Sequence, residues 1–281
     1  MTTADSKRVL VVANETVGGK ALIDAVKRHA DAGPVHVRVI CPQNQPKHGY
    51  VIHDDSVRAS VENRLKMTLA QLRDVGIEAT GEIVDPDPYT AVMDTVGHEP
   101  ADEIVVSTHP ETRSGWLRRD LVERLRQETG VPVEHVVVDL DRDREDVTRT
   151  LVVANQTVEG GTLAETLKAK AAEGPRNFVV VVPAGEDAAG AHDRLAHALR
   201  ELEGQGLRAV GQVGHPDPFT AVQNALQFYP ADEIIISTFP GSRSGWLRND
   251  LIERVRGTTS KPVDHVVVEP SEVSADPAPV A

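Results

Sequence analysis

Four passages of this chain each occur twice, and that internal repeat limits the fold before any single residue is weighed. RVLVVAN (8–14) returns as RTLVVAN (149–155), and DPDPYTAV (85–92) returns as HPDPFTAV (215–222). ADEIVVST (101–108) returns as ADEIIIST (231–238), and RSGWLRRDLVERLR (113–126) as RSGWLRNDLIERVR (243–256). The early passages lie 141 positions apart and the later ones 130, so the first copy carries 11 extra residues, which fall in its 42–55 loop. The length of 281 residues fits two domains. We expect domains at 1–140 and 149–269, a charged connector at 141–149 (DRDREDVTR) and a disordered tail at 270–281.

Within each copy, short β-branched runs alternate with helical stretches. The first copy predicts strands at 8–13, 35–41, 77–84, 103–107 and 133–138; the second predicts them near 150–154, 177–182, 207–213, 233–237 and 263–268. Helices are expected from Gly19 to Ala32, over 56–75, from Pro88 behind an Asp87 cap, and over 116–128. Strand–helix alternation ending on a strand predicts an α/β fold: two tandem Rossmann-like domains, each a five-stranded parallel sheet of order 3-2-1-4-5 flanked by helices.

Composition narrows the partners. A net charge of −13 argues against nucleic acid and against an anionic membrane surface. No apolar run reaches the ~20 residues of a membrane span, and no leader is visible, so a cytoplasmic protein is expected. The single cysteine, Cys41, aligns with Val182 and reads as a small buried hydrophobe.

Parallel sheets bind ligands at the carboxyl ends of their strands, where the winding reverses. In this order that point lies between strands one and four. The loops there carry Asn14, Thr16, Ser107, Thr108, Arg113, Ser114 and Gly115 in the first copy, and Asn155, Thr157, Ser237, Thr238, Arg243, Ser244 and Gly245 in the second. Hydroxyls at a strand end, a guanidinium and a helix start together suit an anion. The bland alternative is a serine helix cap beside a solvated arginine. Asn14, Thr16, Asn155 and Thr157 either reach a ligand or satisfy their own turns. Asp87 and Asp217 read as helix caps. The change from Asp85 to His215 argues against shared chemistry at that position. Trp116 and Trp246 read as packing onto the sheet, with stacking on a base as the alternative. His135 and His265 read as edge-strand polarity, and His48, Tyr50 and His53 as a lid or protein contact. No Walker loop, G-x-G-x-x-G fingerprint, G-x-S-x-G elbow or paired-cysteine site is present, so no catalytic residues are assigned.

The element order, the strand-to-DP-helix passage at 84–92 and the block from Asp102 to PVEHVVV (132–138) resemble tandem universal stress proteins. The resemblance covers 8–138 and 149–268. It implies the Rossmann-like sheet just described, ATP or AMP as ligand in many members, and dimerisation through the fifth, edge strand. Here it implies a built-in pseudo-dimer, with a further homo-oligomer open. It implies a non-enzymatic stress or signalling role with a phosphate-bearing small molecule in one or both domains. A ligand-free interaction scaffold is the alternative, and a nucleotide-processing enzyme the third. Nucleotide-binding members carry a G-x-x-G…G-[ST] pattern after strand four; this chain has STHPETRSGWLRRD and STFPGSRSGWLRND there, with Arg119-Asp120 and Asn249-Asp250 at the final position.

Overall fold

The computed structural model describes residues 6–13, 16, 19–43, 54–110, 120–139, 147–241 and 244–273; for 54–56 and 248 only the backbone is described. The chain divides into two compact units, the first holding the described residues within 6–43 and 57–139 and the second those within 54–56 and 147–273. In the first unit the elements are β1 (Lys7–Val12), α1 (Lys20–Asp31), β2 (Val35–Pro42), α2 (Asp54–Asp74), β3 (Ala79–Val84), α3 (Pro88–His98), β4 (Glu103–Thr108), α4 (Leu121–Thr129) and β5 (Val133–Val137). The second has β6 (Thr148–Val153), a 3-10 turn (Gln156–Glu159), α5 (Gly161–Ala172), β7 (Arg176–Pro183), α6 (Ala188–Gly204) and β8 (Arg208–Gly214). It continues through α7 (Pro218–Phe228), β9 (Glu233–Thr238), α8 (Gly245–Arg248), α9 (Leu251–Arg256) and β10 (Val263–Val267).

Both sheets are wholly parallel, in the orders β3-β2-β1-β4-β5 and β8-β7-β6-β9-β10. The predicted order holds in each copy. The central strand is dry on both faces, as a near-continuous apolar run requires. Val9, Val11, Val39 and Val105 face α1 and α2, packing with Leu22, Val26, Val61 and Leu65. Leu10, Val12, Ile104 and Val106 face the other way, toward Val92, Leu121 and Leu125. Successive residues of one strand thus feed two cores. Cys41 is fully buried in the first of them, and burial pushes its thiol up to about 12. Among the described residues no helix is long and apolar enough to cross a membrane.

The two copies share small fastenings as well as strands. Arg8 forks onto Asp102 (2.8 and 3.1 Å), and Arg149 forks onto Asp232 (both 3.0 Å), tying the first strand to the segment that enters the fourth. Asp87 and Asp217 cap α3 and α7 through the amides of Thr90 and Thr220, as expected. The preceding position differs chemically yet does one job. Asp85 Oδ1 accepts the Asp87 amide at 2.9 Å, and His215 Nδ1 accepts the Asp217 amide at 3.0 Å. Arg124 stacks on Tyr89 and Arg254 on Phe219, 3.8 and 4.1 Å from the ring centroids, holding the fourth helix to the third.

Several expectations shift. Of the 11 extra residues, four lengthen α2, which has 21 residues against 17 in α6, so the insertion is not all loop. The connector ends sooner than expected, because Thr148 and Arg149 already belong to β6. The tail begins later, because Pro270–Glu272 form a 3-10 turn. The fourth helix is not continuous from the tryptophan: in the second unit α8 ends at Arg248 and α9 begins at Leu251. Between them Asp250 takes φ 49°, and Asp120 takes φ 48° at the start of α4. A left-handed residue breaks the α-helical ladder, and periodicity alone cannot reveal it.

Two outcomes follow from these fastenings. The glycine variant at Asp250 should be more stable than the alanine variant by about 1 kcal/mol, because only the latter carries a Cβ in the left-handed region; equal urea midpoints would contradict this. The Arg8 fork holds the Asp102 carboxyl down to about 2. Its folded value lies below its unfolded value, so its contribution is complete above the unfolded value and disappears as pH falls toward 2. Stability of Asp102→Asn, followed by chemical denaturation, should therefore fall less steeply than wild type between about pH 4 and pH 2.

Candidate functional site

The carboxyl ends of β1 and β4, and of β6 and β9, lie side by side in their sheets. The expected mouth is therefore present in each unit. Asn14, Arg113, Ser114, Gly115 and Arg243 lie outside the described residues, as do Trp116, His48, Tyr50 and His53. Thr16, Ser107 and Thr108 are placed together in the first unit, and Asn155, Thr157, Ser237 and Thr238 in the second, with Ser244 and Gly245 at α8.

Most of these side chains are already engaged. The Thr16 hydroxyl donates to the Ser107 carbonyl at 3.2 Å, and Thr157 donates to the Ser237 carbonyl at 3.1 Å. Both threonines are buried, and each bond closes the loop after the first strand onto the end of the fourth. The loop is held down further at its exit. A Cβ on Gly160 would stand 2.3 Å from Val268 Cγ1, and one on Gly19 would stand 2.2 Å from Val138 Cγ1, so only glycine passes there. Thr108 Oγ1 lies 2.8 Å from His135 Nε2, and Thr238 Oγ1 lies 2.9 Å from His265 Nε2. Burial, and then the charge of Arg256, lowers the pKa of His265. These histidines are thus partners of the strand-four threonines, rather than polarity along an edge. The repeat carried the signal, because Ser-Thr and His recur together in both copies.

In the second unit, Ser244 accepts the Leu247 amide at 3.3 Å and caps α8. That is the plain reading of the serine, and a helix of four residues offers little dipole. Asn155 accepts a 2.9 Å bond from Arg194 Nη2, on α6. No expectation included that arginine. The α5 start is also occupied: Glu272 Oε2 accepts the Thr162 amide at 2.7 Å, and Oε1 accepts the Glu269 amide at 3.0 Å. These backbone bonds, the one from Thr162 foremost, lower the pKa of the Glu272 carboxyl.

Two hydroxyls stand apart. Ser107 Oγ and Ser237 Oγ are buried and have no hydrogen-bond partner among the described residues. Ser107 shares the α1/α2 face of its strand with Val105, and Ser237 shares the α5/α6 face with Ile235. Each sits one residue before the end of the strand.

One group among the described residues has metal-ligand spacing. His29, Glu103 and Glu134 place ligand atoms within 4.8 Å of one another at the amino end of the first sheet. His29 Nε2 is 2.9 Å from Glu134, Arg28 bonds the same carboxylate at 2.6 Å, and Lys7 bonds Glu103. Both carboxylates therefore already have cations. The second unit does the same with Lys170, which reaches Glu233 at 3.0 Å and Asp264 at 2.9 Å, while Arg176 also bonds Glu233. The cluster is an ion-pair network at the base of the sheet, away from the mouth.

No protein-family model matches this chain, and no curated protein matches it. Among solved structures it is similar to a universal stress protein from Archaeoglobus fulgidus DSM 4304, at 16% identity over 95% of this chain and 98% of that chain, with a TM-score of 0.35. The functional reading rests on the geometry of the chain itself.

Thr157→Val should cost about 1–3 kcal/mol, because it removes a buried bond and leaves the Ser237 carbonyl without that donor. Amide exchange should quicken in the loop between β6 and α5. Unchanged exchange in that loop would show that the threonine does not fasten it.

Proposed function

We propose that this is a non-enzymatic, universal stress protein-like stress or signalling protein that takes an adenine nucleotide (AMP or ATP) or another phosphate-bearing small molecule at the mouth of one or both sheets. The observation that carries the reading is the pair of orphaned serine hydroxyls. A buried polar group without a partner is uncommon and calls for an explanation. Here the same one occurs twice, at equivalent positions, where a parallel sheet receives a ligand. A ligand oxygen would accept from Ser107 or Ser237. In this reading Arg113 and Arg243 supply the charge that a −13 chain otherwise lacks.

A second reading, an interaction scaffold with no small ligand, has its own support. Thr16, Thr157, Asn155 and Ser244 all spend hydrogen bonds on the protein itself. Strand-edge pairing fits either reading. Val137 and Val267 are exposed on the edge strands β5 and β10, at 48% and 42%, and a paired strand would cover them. We place the protein in the cytoplasm.

Thermal melts with AMP, ATP and pyrophosphate separate the readings, since a ligand that prefers the native state raises the midpoint. We expect a rise with at least one of the three. The Ser107→Ala, Ser237→Ala double variant should be at least as stable as wild type without ligand, because it removes two orphaned groups. It should also show a smaller rise with ligand, by roughly 0.5–1.5 kcal/mol of binding energy per site. No rise with any of the three favours the scaffold.

A further inference from the structure

Resting on the mouth proposed above, a second anchor for an anionic ligand comes from the second helix of each unit. Arg194 projects from α6 to the loop that follows β6, and its side chain is only 19% exposed. One edge of the guanidinium is used: Nη2 bonds Asn155 Oδ1 at 2.9 Å. Nη1 lies 3.6 Å from Asp187, an exposed carboxylate that also caps α6 by accepting the Gly190 amide. Nε is buried and has no hydrogen-bond partner among the described residues. A Cβ on Gly190 would stand 1.9 Å from Asp187 Oδ2 and 2.9 Å from Arg194 Nη1, so the absent side chain makes room for the Asp187 cap first and for the guanidinium beside it.

Three features turn this from a fastening into a site. Burying a guanidinium is costly unless its donors are matched, and here one donor is not. The orphaned Ser237 hydroxyl lies on the same α5/α6 face of the sheet. The loop between them is pinned from both sides, to Arg194 through Asn155 and to the Ser237 carbonyl through Thr157. Donors left over on both sides of one rigid loop suit an oxygen-rich anion. The third feature is the repeat. α2 and α6 share little sequence, yet NRL (63–65) and DRL (193–195) coincide at the 130-residue offset. Arg64 is buried, at 7% exposure, where Arg194 is partly buried, and its charge is felt at Cys41 at the carboxyl end of β2. Two copies that differ in most of a helix keep an arginine at the same position and the same end of the sheet.

We propose that Arg194, and Arg64 in the first unit, are ligand-binding residues that contact the phosphate group of the bound small molecule. At Arg194 the contact runs through the Nε side of the fork, while Nη2 keeps the loop in place.

Calorimetric titration of the full chain with AMP and with adenosine tests this, using the Arg64→Gln, Arg194→Gln and Arg64→Lys, Arg194→Lys double variants. A glutamine removes the charge and is too short to keep the Nη2 bond to Asn155, and a lysine keeps charge and stem without the fork. We expect AMP affinity to fall at least tenfold in the glutamine pair and severalfold in the lysine pair, with adenosine affinity within twofold of wild type in both. Should the glutamine pair not fold, the lysine pair decides by the same criterion. AMP affinity within twofold of wild type overturns the assignment and leaves the mouth itself standing. Equal losses for AMP and adenosine also overturn it, because the arginines would then only hold the loop. Failure of wild type to bind either compound removes the mouth, and this inference with it.

Discussion

The bond from Thr157 to the Ser237 carbonyl, with its twin from Thr16 to Ser107, sits at the one place in each sheet where the winding direction changes. Strands one and four are neighbours in the sheet but far apart in sequence. The loop leaving the first must settle over the end of the fourth without filling it. A buried threonine supplies the closure, and a glycine against the valine that follows strand five sets the depth. Remove either and the loop would rise, taking Asn155 and the Arg194 contact with it. The geometry of the mouth depends on this closure more than on any charged group nearby.

The sheet itself depends on dryness. Val9 to Ala13 are buried almost completely, and so are Leu151 to Ala154, so every backbone group on these strands relies on its parallel neighbours. The charged network at the amino end of each sheet closes the opposite boundary. There the copies diverge: His29 stands between two carboxylates in one and Lys170 in the other. An imidazole and an ammonium thus perform the same packing task.

Element type and strand order were legible because a parallel sheet buried on both faces writes itself as uniform β-branched runs, and because two copies confirm each other. The helix caps at Asp87 and Asp217 were legible because Asp followed by Pro has one good use. Arg194 was not, because a helical arginine in a charged sequence looks solvated until its neighbours are known. The break at Asp250, and the left-handed start of α4 at Asp120, were hidden for a different reason: a single left-handed residue leaves the apolar spacing of RSGWLRNDLIERVR intact. The exchange of Asp85 for His215 misled in the opposite direction. Two unlike side chains suggested no common task, yet each offers a lone pair to the same amide. At the mouth, the sequence shows which hydroxyls are present but not which are already taken. Thr108 and Thr238 go to histidines, and Ser107 and Ser237 go to nothing among the described residues.

The turn after β10 has a practical consequence. Glu272 clasps the beginning of α5, and Val273 rests against the adjoining core, so Val273 lies at the carboxyl-end rim of the second sheet. An affinity tag joined directly after Val273 would emerge next to that rim, and its bulk would crowd the loop between β6 and α5.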